Sequence, residues 1–111
     1  MTQTAQLPLL FCGSTAAAFE EFHRANPAIY TTLVRLAREW VARTGQHKLG
    51  IATLFERTRW EIALETNDPS FKLNNSFRAY YARLIQKQES DLDGFFHLRT
   101  SAADSWIESV A

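Results

Sequence analysis

The chain has 111 residues, of which 46% are hydrophobic and 22% charged, and its formal net charge is zero. This is the composition of one globular domain able to bury a modest core, and it excludes a low-complexity or collagen-like chain. Cys12 is the only cysteine, so no disulfide can form within the chain.

The N-terminal run "LPLLFCG" is apolar but has no basic stretch before it and is too short to span a bilayer. The expectation is an intracellular, cytoplasmic protein with no signal peptide and no membrane contact. Residues 1–14 are expected to form a tail, and residues 15–111 a single domain. Cys12 has no base beside it and reads as a packing residue.

Ser14 or Thr15 can cap a first helix through "AAAFEEFHRAN", with Phe19, Phe22 and His23 on its apolar side. Asn26-Pro27 breaks the chain, and Pro27 suits the first turn of the next helix. That second helix places Ile29, Leu33, Leu36, Ala37, Trp40 and Val41 on one stripe. Gly45 is its expected terminator. "GQHKLGI" then reads as a short strand from His47 to Gly50.

Gly50 can cap a third helix, "IATLFERTRWEIALET", buried along Ile51, Leu54, Phe55, Thr58 and Ile62. Trp60 lies off that stripe. Its expected place is under the loop that follows, buried against "PSF". If exposed, it would be a partner-binding anchor. Pro69 ends this segment. Asn74, Asn75 or Ser76 can cap a fourth helix to about Gln88, buried along Phe77, Tyr81, Leu84 and Ile85. "FFHLRT" reads as a strand, "SAAD" as a turn, and "SWIESV" as a second strand or a frayed helix.

From the second helix onward this is the element order of a winged helix, mainly α with a small β element. The fourth helix would be the recognition helix and "FFHLRTSAADSWIE" the wing. Asn75 and Arg78 would meet base edges in double-stranded DNA, where asparagine can bond adenine and arginine guanine. Arg83, Lys87, Lys72 and Arg59 would neutralise phosphates. The segment from Arg35 to Lys87 carries ten basic and five acidic residues, and the C-terminal part is acidic. That asymmetry suits an anionic partner on one face and equally suits pairing within the chain. Against DNA stand the neutral net charge and a connection of about eight residues where a helix-turn-helix has about 3–4.

The chemistry of catalysis has few footholds. His23, His47 and His97 are not spaced as metal ligands, and there is no Gly-rich phosphate loop or serine elbow. Glu61, Glu65 and Lys72 read as ion-pairing residues, with Arg57 and Arg59 nearby to neutralise the carboxylates. The expectation is a non-enzymatic protein without a cofactor.

"FHRANPAIYTTLVRLAREW", "IATLFERTRWEIALET" and "FKLNNSFRAYYARLI…DLDGFFHLR" together resemble a group of small phage and prophage proteins. The group shares NP-x-x-Y, RWE, F-K-x-N-N, R-Y-A-R and a closing F-x-L-R, and the likeness covers about residues 19–99. The resemblance implies a winged-helix-like fold and a mobile-element origin, in the cytoplasm of a bacterial host. It carries no assigned activity. Here "AYYAR" stands where the group often has Ser or Thr before R-Y-A-R.

Two functions are expected from these readings. The first is a DNA-binding accessory or transcription-regulating protein. The second is a module that binds or inhibits a host protein, with Trp60 and Tyr80 as partner-binding residues. A homodimer is expected only if the first helix or the tail supplies an interface.

Overall fold

A computed structural model describes residues 15–110. They form five helices: α1 (residues 15–25), α2 (Pro27–Thr44), α3 (Ile51–Glu65), α4 (Arg78–Gln88) and α5 (Ala102–Val110). Short 3₁₀ turns at Asn75–Phe77 and Ser90–Leu92 flank α4. The tail expected at residues 1–14, Cys12 included, lies outside the described residues. No helix among those described is long and apolar enough to cross a membrane.

Several boundaries follow from local chemistry. At the end of α1 the backbone N–H and the side-chain amide of Asn26 both donate to the Phe22 carbonyl, at 2.8 and 3.0 Å. Pro27 then opens α2, where its missing N–H costs nothing. Gly45 closes α2 in the left-handed conformation (φ 72°), and its N–H donates to the Val41 carbonyl at 2.8 Å. Asn74 accepts from the Ser76 N–H at 2.9 Å and so caps the turn that leads into α4.

The winged-helix expectation is overturned, because no strand exists among the described residues. His47–Gly50 forms no ladder. Its one backbone link to the supposed wing is the Leu49 N–H donating to the Phe95 carbonyl at 3.3 Å. Phe95 and Phe96 are consecutive and both buried. A half-buried strand sends alternate side chains to opposite faces, so this pair does not suit a wing. The second supposed strand is α5. Ala103, Trp106 and Ile107 recur at helical spacing and face the core.

"SAAD", expected as a turn, is a capping box for α5. The Ser101 hydroxyl accepts from the Ala103 N–H at 3.1 Å, and Asp104 accepts from the Ser101 N–H at 2.9 Å.

Helix α4 lies at the centre of the molecule rather than on its surface. Tyr80, Tyr81, Ala82, Arg83, Leu84 and Ile85 are consecutive and all buried, under contacts from α1, α2, α3 and α5. A helix buried on nearly all sides has no face left for a groove. Phe19 of α1 is the other anchor. Its ring centroid lies 4.7 Å from Tyr81, 5.2 Å from Trp106 and 5.4 Å from Tyr80.

His23 stacks on Phe19 at 5.7 Å and faces Tyr30 and Tyr81, while its Nδ1 is buried without a hydrogen-bond partner among the described residues. Burial lowers its pKa below the ordinary 6.5. The unfolded chain therefore takes up the His23 proton first as pH falls. The stability associated with neutral His23 is complete above pH 6.5 and declines as pH drops from there through the folded-state value. Asp104, Asp91 and Asp68 act in a lower window. Hydrogen bonds from Arg83, Arg38 and Ser70, respectively, hold their pKa values below 3.8. Their contributions persist above 3.8 and are lost as pH falls through the lowered values. Urea midpoints measured at several pH values should fall first below neutrality and again in strong acid. His23→Phe should flatten the first decline and leave the second. A first decline of undiminished size in that variant would refute the assignment to His23.

Candidate functional site

The six residues expected to meet DNA are not brought together as one open surface. Arg83 is 5% exposed. Its Nε donates to Asp104 at 2.7 Å, and its two terminal nitrogens donate to the carbonyls of Ala79 and Arg99 at 3.0 and 2.5 Å. Each arm of the guanidinium thus has an internal acceptor, and a phosphate could engage it only by breaking those bonds.

The Asn75 side-chain oxygen accepts a hydrogen bond from Arg59 at 2.7 Å. Arg59 also donates to the Leu73 carbonyl at 2.6 Å and pairs with Glu56. Arg78 is half-buried and its Nε donates to the Asn75 carbonyl at 3.2 Å. Lys72 and Lys87 are exposed, with no ion pair among the described residues.

Six of the ten basic residues between Arg35 and Lys87 are in ion pairs within the chain, Arg59 and Arg83 among them. Arg35 and Arg43 pair with Glu39, and Arg35 and Arg57 with Glu61. Arg38 reaches Glu89 and Asp91 at 2.8 and 2.9 Å. Glu61 is therefore held by two arginines, as expected, whereas Glu65 and Lys72, expected in the same role, have no ion pair among the described residues. No group of three or more His, Cys, Asp or Glu among the described residues is placed to hold a metal ion.

Of the two expected partner-binding residues, Tyr80 is buried against Phe19 and Trp106. Trp60 stands 53% exposed, so the expectation that it lies under the next loop is corrected. The cause is in how α3 packs. Its buried residues, Leu54, Phe55 and Thr58, all lie in its first eight positions, and beyond them only Ile62 is half-buried on the core side. The outer face of the last two turns therefore stands clear of the core. The loop that follows does not fold back over Trp60. Arg59 ties it to a flank of α3 about 100° round the helix from Trp60, and Phe71 and Leu73 carry it inward, Phe71 lying 6.1 Å from Phe22.

The outcome is an apolar ridge beside a cleft. Leu64, one turn from Trp60, is 69% exposed. The Arg57 guanidinium lies 4.5 Å from the Trp60 ring centroid and fixes one face of the indole by a cation–π contact. Between α3 and the loop lies a cleft of about 620 Å³, with Ile62, Ala63, Pro69, Phe71 and Leu73 as its apolar lining and Arg59, Asp68 and Lys72 among its polar residues.

Sequence reasoning missed Leu64. The signal was present, since Arg57, Trp60 and Leu64 are spaced i, i+3, i+7 on the side away from the buried stripe. Nothing on this surface is arranged as a nucleophile with its base. What the arrangement offers is a large aromatic, an aliphatic neighbour and a stacked arginine, residues well suited to making contact with another macromolecule.

Comparison of the chain with protein-family models, with curated proteins and with solved structures returned no match.

Proposed function

We propose that this chain is a small non-enzymatic module that acts by protein–protein contact, with the outer face of α3 as its contact surface. The observation that carries this reading is the exposed Trp60–Leu64 pair with Arg57 stacked on the indole. Exposing a tryptophan and a leucine side by side forgoes hydrophobic stabilisation that a partner can recover. The contact chemistry needs no cofactor. It also fits the mobile-element origin suggested by the phage-protein resemblance, since such a protein can act on its host by occupancy alone. The DNA reading has less support, because Arg83 and Asn75 are engaged within the fold.

A photo-crosslinker placed by Leu64→p-benzoylphenylalanine tests the reading in bacterial cells. Irradiation should give a protein adduct that Trp60→Ala reduces several-fold. A parallel titration with mixed duplex DNA at two salt concentrations should show no salt-dependent binding. Absence of any protein adduct, or tight salt-dependent DNA binding abolished by Lys72→Ala with Lys87→Ala, would overturn the proposal.

A further inference from the structure

A second pocket, of about 440 Å³, lies where the C-terminal half of α2 meets the start of α3, and it shares no residue with the cleft beside Phe71. Leu36, Trp40, Leu49 and Leu54 form its apolar floor, and Glu39, Arg43 and Arg57 are its charged residues. The Trp40 indole N–H donates to the Lys48 carbonyl at 3.0 Å, which fixes the ring against the connection that carries Leu49.

The charged residues belong to a chain of ion pairs along α2 and α3, in the order Arg43, Glu39, Arg35, Glu61, Arg57. Signs alternate along it. Arg35, in the middle, serves two carboxylates, whereas Arg43 and Arg57, at the ends, serve one each. Three arginines share two carboxylates, so one positive charge is in excess, and both ends of the chain line the pocket. Arg43 gives one terminal nitrogen to Glu39 at 2.9 Å, and Arg57 gives one to Glu61 at 3.3 Å. Their other nitrogens have no acceptor among the described residues. The cation–π contact of Arg57 with Trp60 is made over the indole face and consumes none of its N–H donors. Unlike Arg83, both arginines are exposed, so each can turn to a second acceptor without breaking a buried bond. The first turn of α3 reaches the pocket at Thr53 and contains no acidic residue, so the positive end of its dipole adds to the same excess.

We propose that this pocket binds a monocarboxylate with an apolar body. One carboxylate held by Arg43 and Arg57 completes the alternation of signs and cancels the single excess charge. Its planar pair of oxygens matches the fork of N–H donors on an arginine. The apolar body covers Leu36, Trp40, Leu49 and Leu54. That floor discriminates against inorganic phosphate, which has no apolar surface to place there. Two sources share this chemistry: a free organic acid, and the C-terminus of a peptide whose last side chain is apolar. The proposal goes beyond the contact face of α3 and needs no partner at Trp60 and Leu64, so its test and the photo-crosslink can fail separately.

NMR spectra of the full chain report on the site through the Trp40 indole N–H and the amides of Thr53 and Leu54. Phenylbutyrate should shift these signals saturably, with a dissociation constant in the millimolar range or below. Phenylbutyramide, with the same body and no charge, should bind about tenfold more weakly. Arg43→Gln with Arg57→Gln should cost the acid a similar factor, and both positions are exposed, so the fold should be kept. Thr53→Glu, which places a carboxylate at the pocket, should weaken binding far more than Thr53→Gln of the same size. An acetylated tripeptide ending in leucine, compared as acid and as amide, identifies the source. Binding of the tripeptide acid alone assigns the pocket to a protein C-terminus, and binding of phenylbutyrate alone assigns it to a small organic acid; either supports the proposal. It is overturned by no saturable shift with either acid, or by an acid and its amide binding equally. Undiminished binding in the double arginine variant, Thr53→Glu binding no more weakly than Thr53→Gln, or inorganic phosphate binding as tightly as phenylbutyrate would also overturn it.

Discussion

Arg83→Met is expected to lower the unfolding free energy by about 3 kcal/mol, enough to cost a domain of this size roughly 12 °C in melting temperature. Methionine keeps an apolar stem in the space that the arginine fills, so little of the loss comes from packing. What goes is the charged fork that joins three segments: the Ala79 carbonyl within α4, the Arg99 carbonyl in the connection before α5, and Asp104 at the start of α5. The two carbonyls lose a charged donor that no neighbouring side chain can replace. The loss stays below the most severe cases because Asp104 is half-exposed, and water can take over its side of the pair. Arg83→Lys should recover only part of it, since an ammonium lacks the planar fork that reaches several acceptors at once. Thermal melting followed by circular dichroism measures this directly. A melting temperature within about 3 °C of wild type would show that Arg83 does not hold α5 in place.

Phe19→Ala should cost about 3–5 kcal/mol, comparable with the whole stability of a small domain. Its ring is fully buried and lies among His23, Phe77, Tyr80, Tyr81 and Trp106, with centroids between 4.7 and 5.7 Å away. These neighbours come from α1, α4, α5 and the turn before α4, so they cannot all close on the vacated space without moving whole helices. Chemical denaturation should show a midpoint shifted far down or a chain already unfolded in buffer. Phe19→Leu should fall between the two. A small, fully reversible shift for the alanine variant would mean that α1 contributes little to the core.

The two variants also bear on why α4 reads in the sequence as an exposed helix and is buried in the structure. Its sequence, with Asn75, Arg78 and Arg83 interleaved with aromatics, has the residue types of a DNA-reading helix. The same pattern serves a central helix whose single buried arginine is neutralised by a neighbour. Asp104, the residue that decides between these, lies 21 positions further on. Its own local signal, the capping box Ser101-Ala-Ala-Asp104 ahead of Trp106 and Ile107, decides for a helix where a strand or a frayed helix was expected.

Local sequence determined the elements whose signals lie within a few residues. The Asn26-Pro27 break, the Gly45 stop, the Asn74 cap and the stripes of α2 and the first half of α3 follow from backbone stereochemistry and 3.6-residue periodicity. Tertiary structure alone decided which polar groups are spent inside the molecule and which apolar ones are left outside. Arg83 and Asn75 look free until Asp104 and Arg59 are placed against them. Trp60 looks covered until the loop after α3 is seen drawn away from it by Arg59, Phe71 and Leu73. Both outcomes depend on contacts between residues far apart in the chain, and such contacts leave no periodic trace in the sequence around either partner.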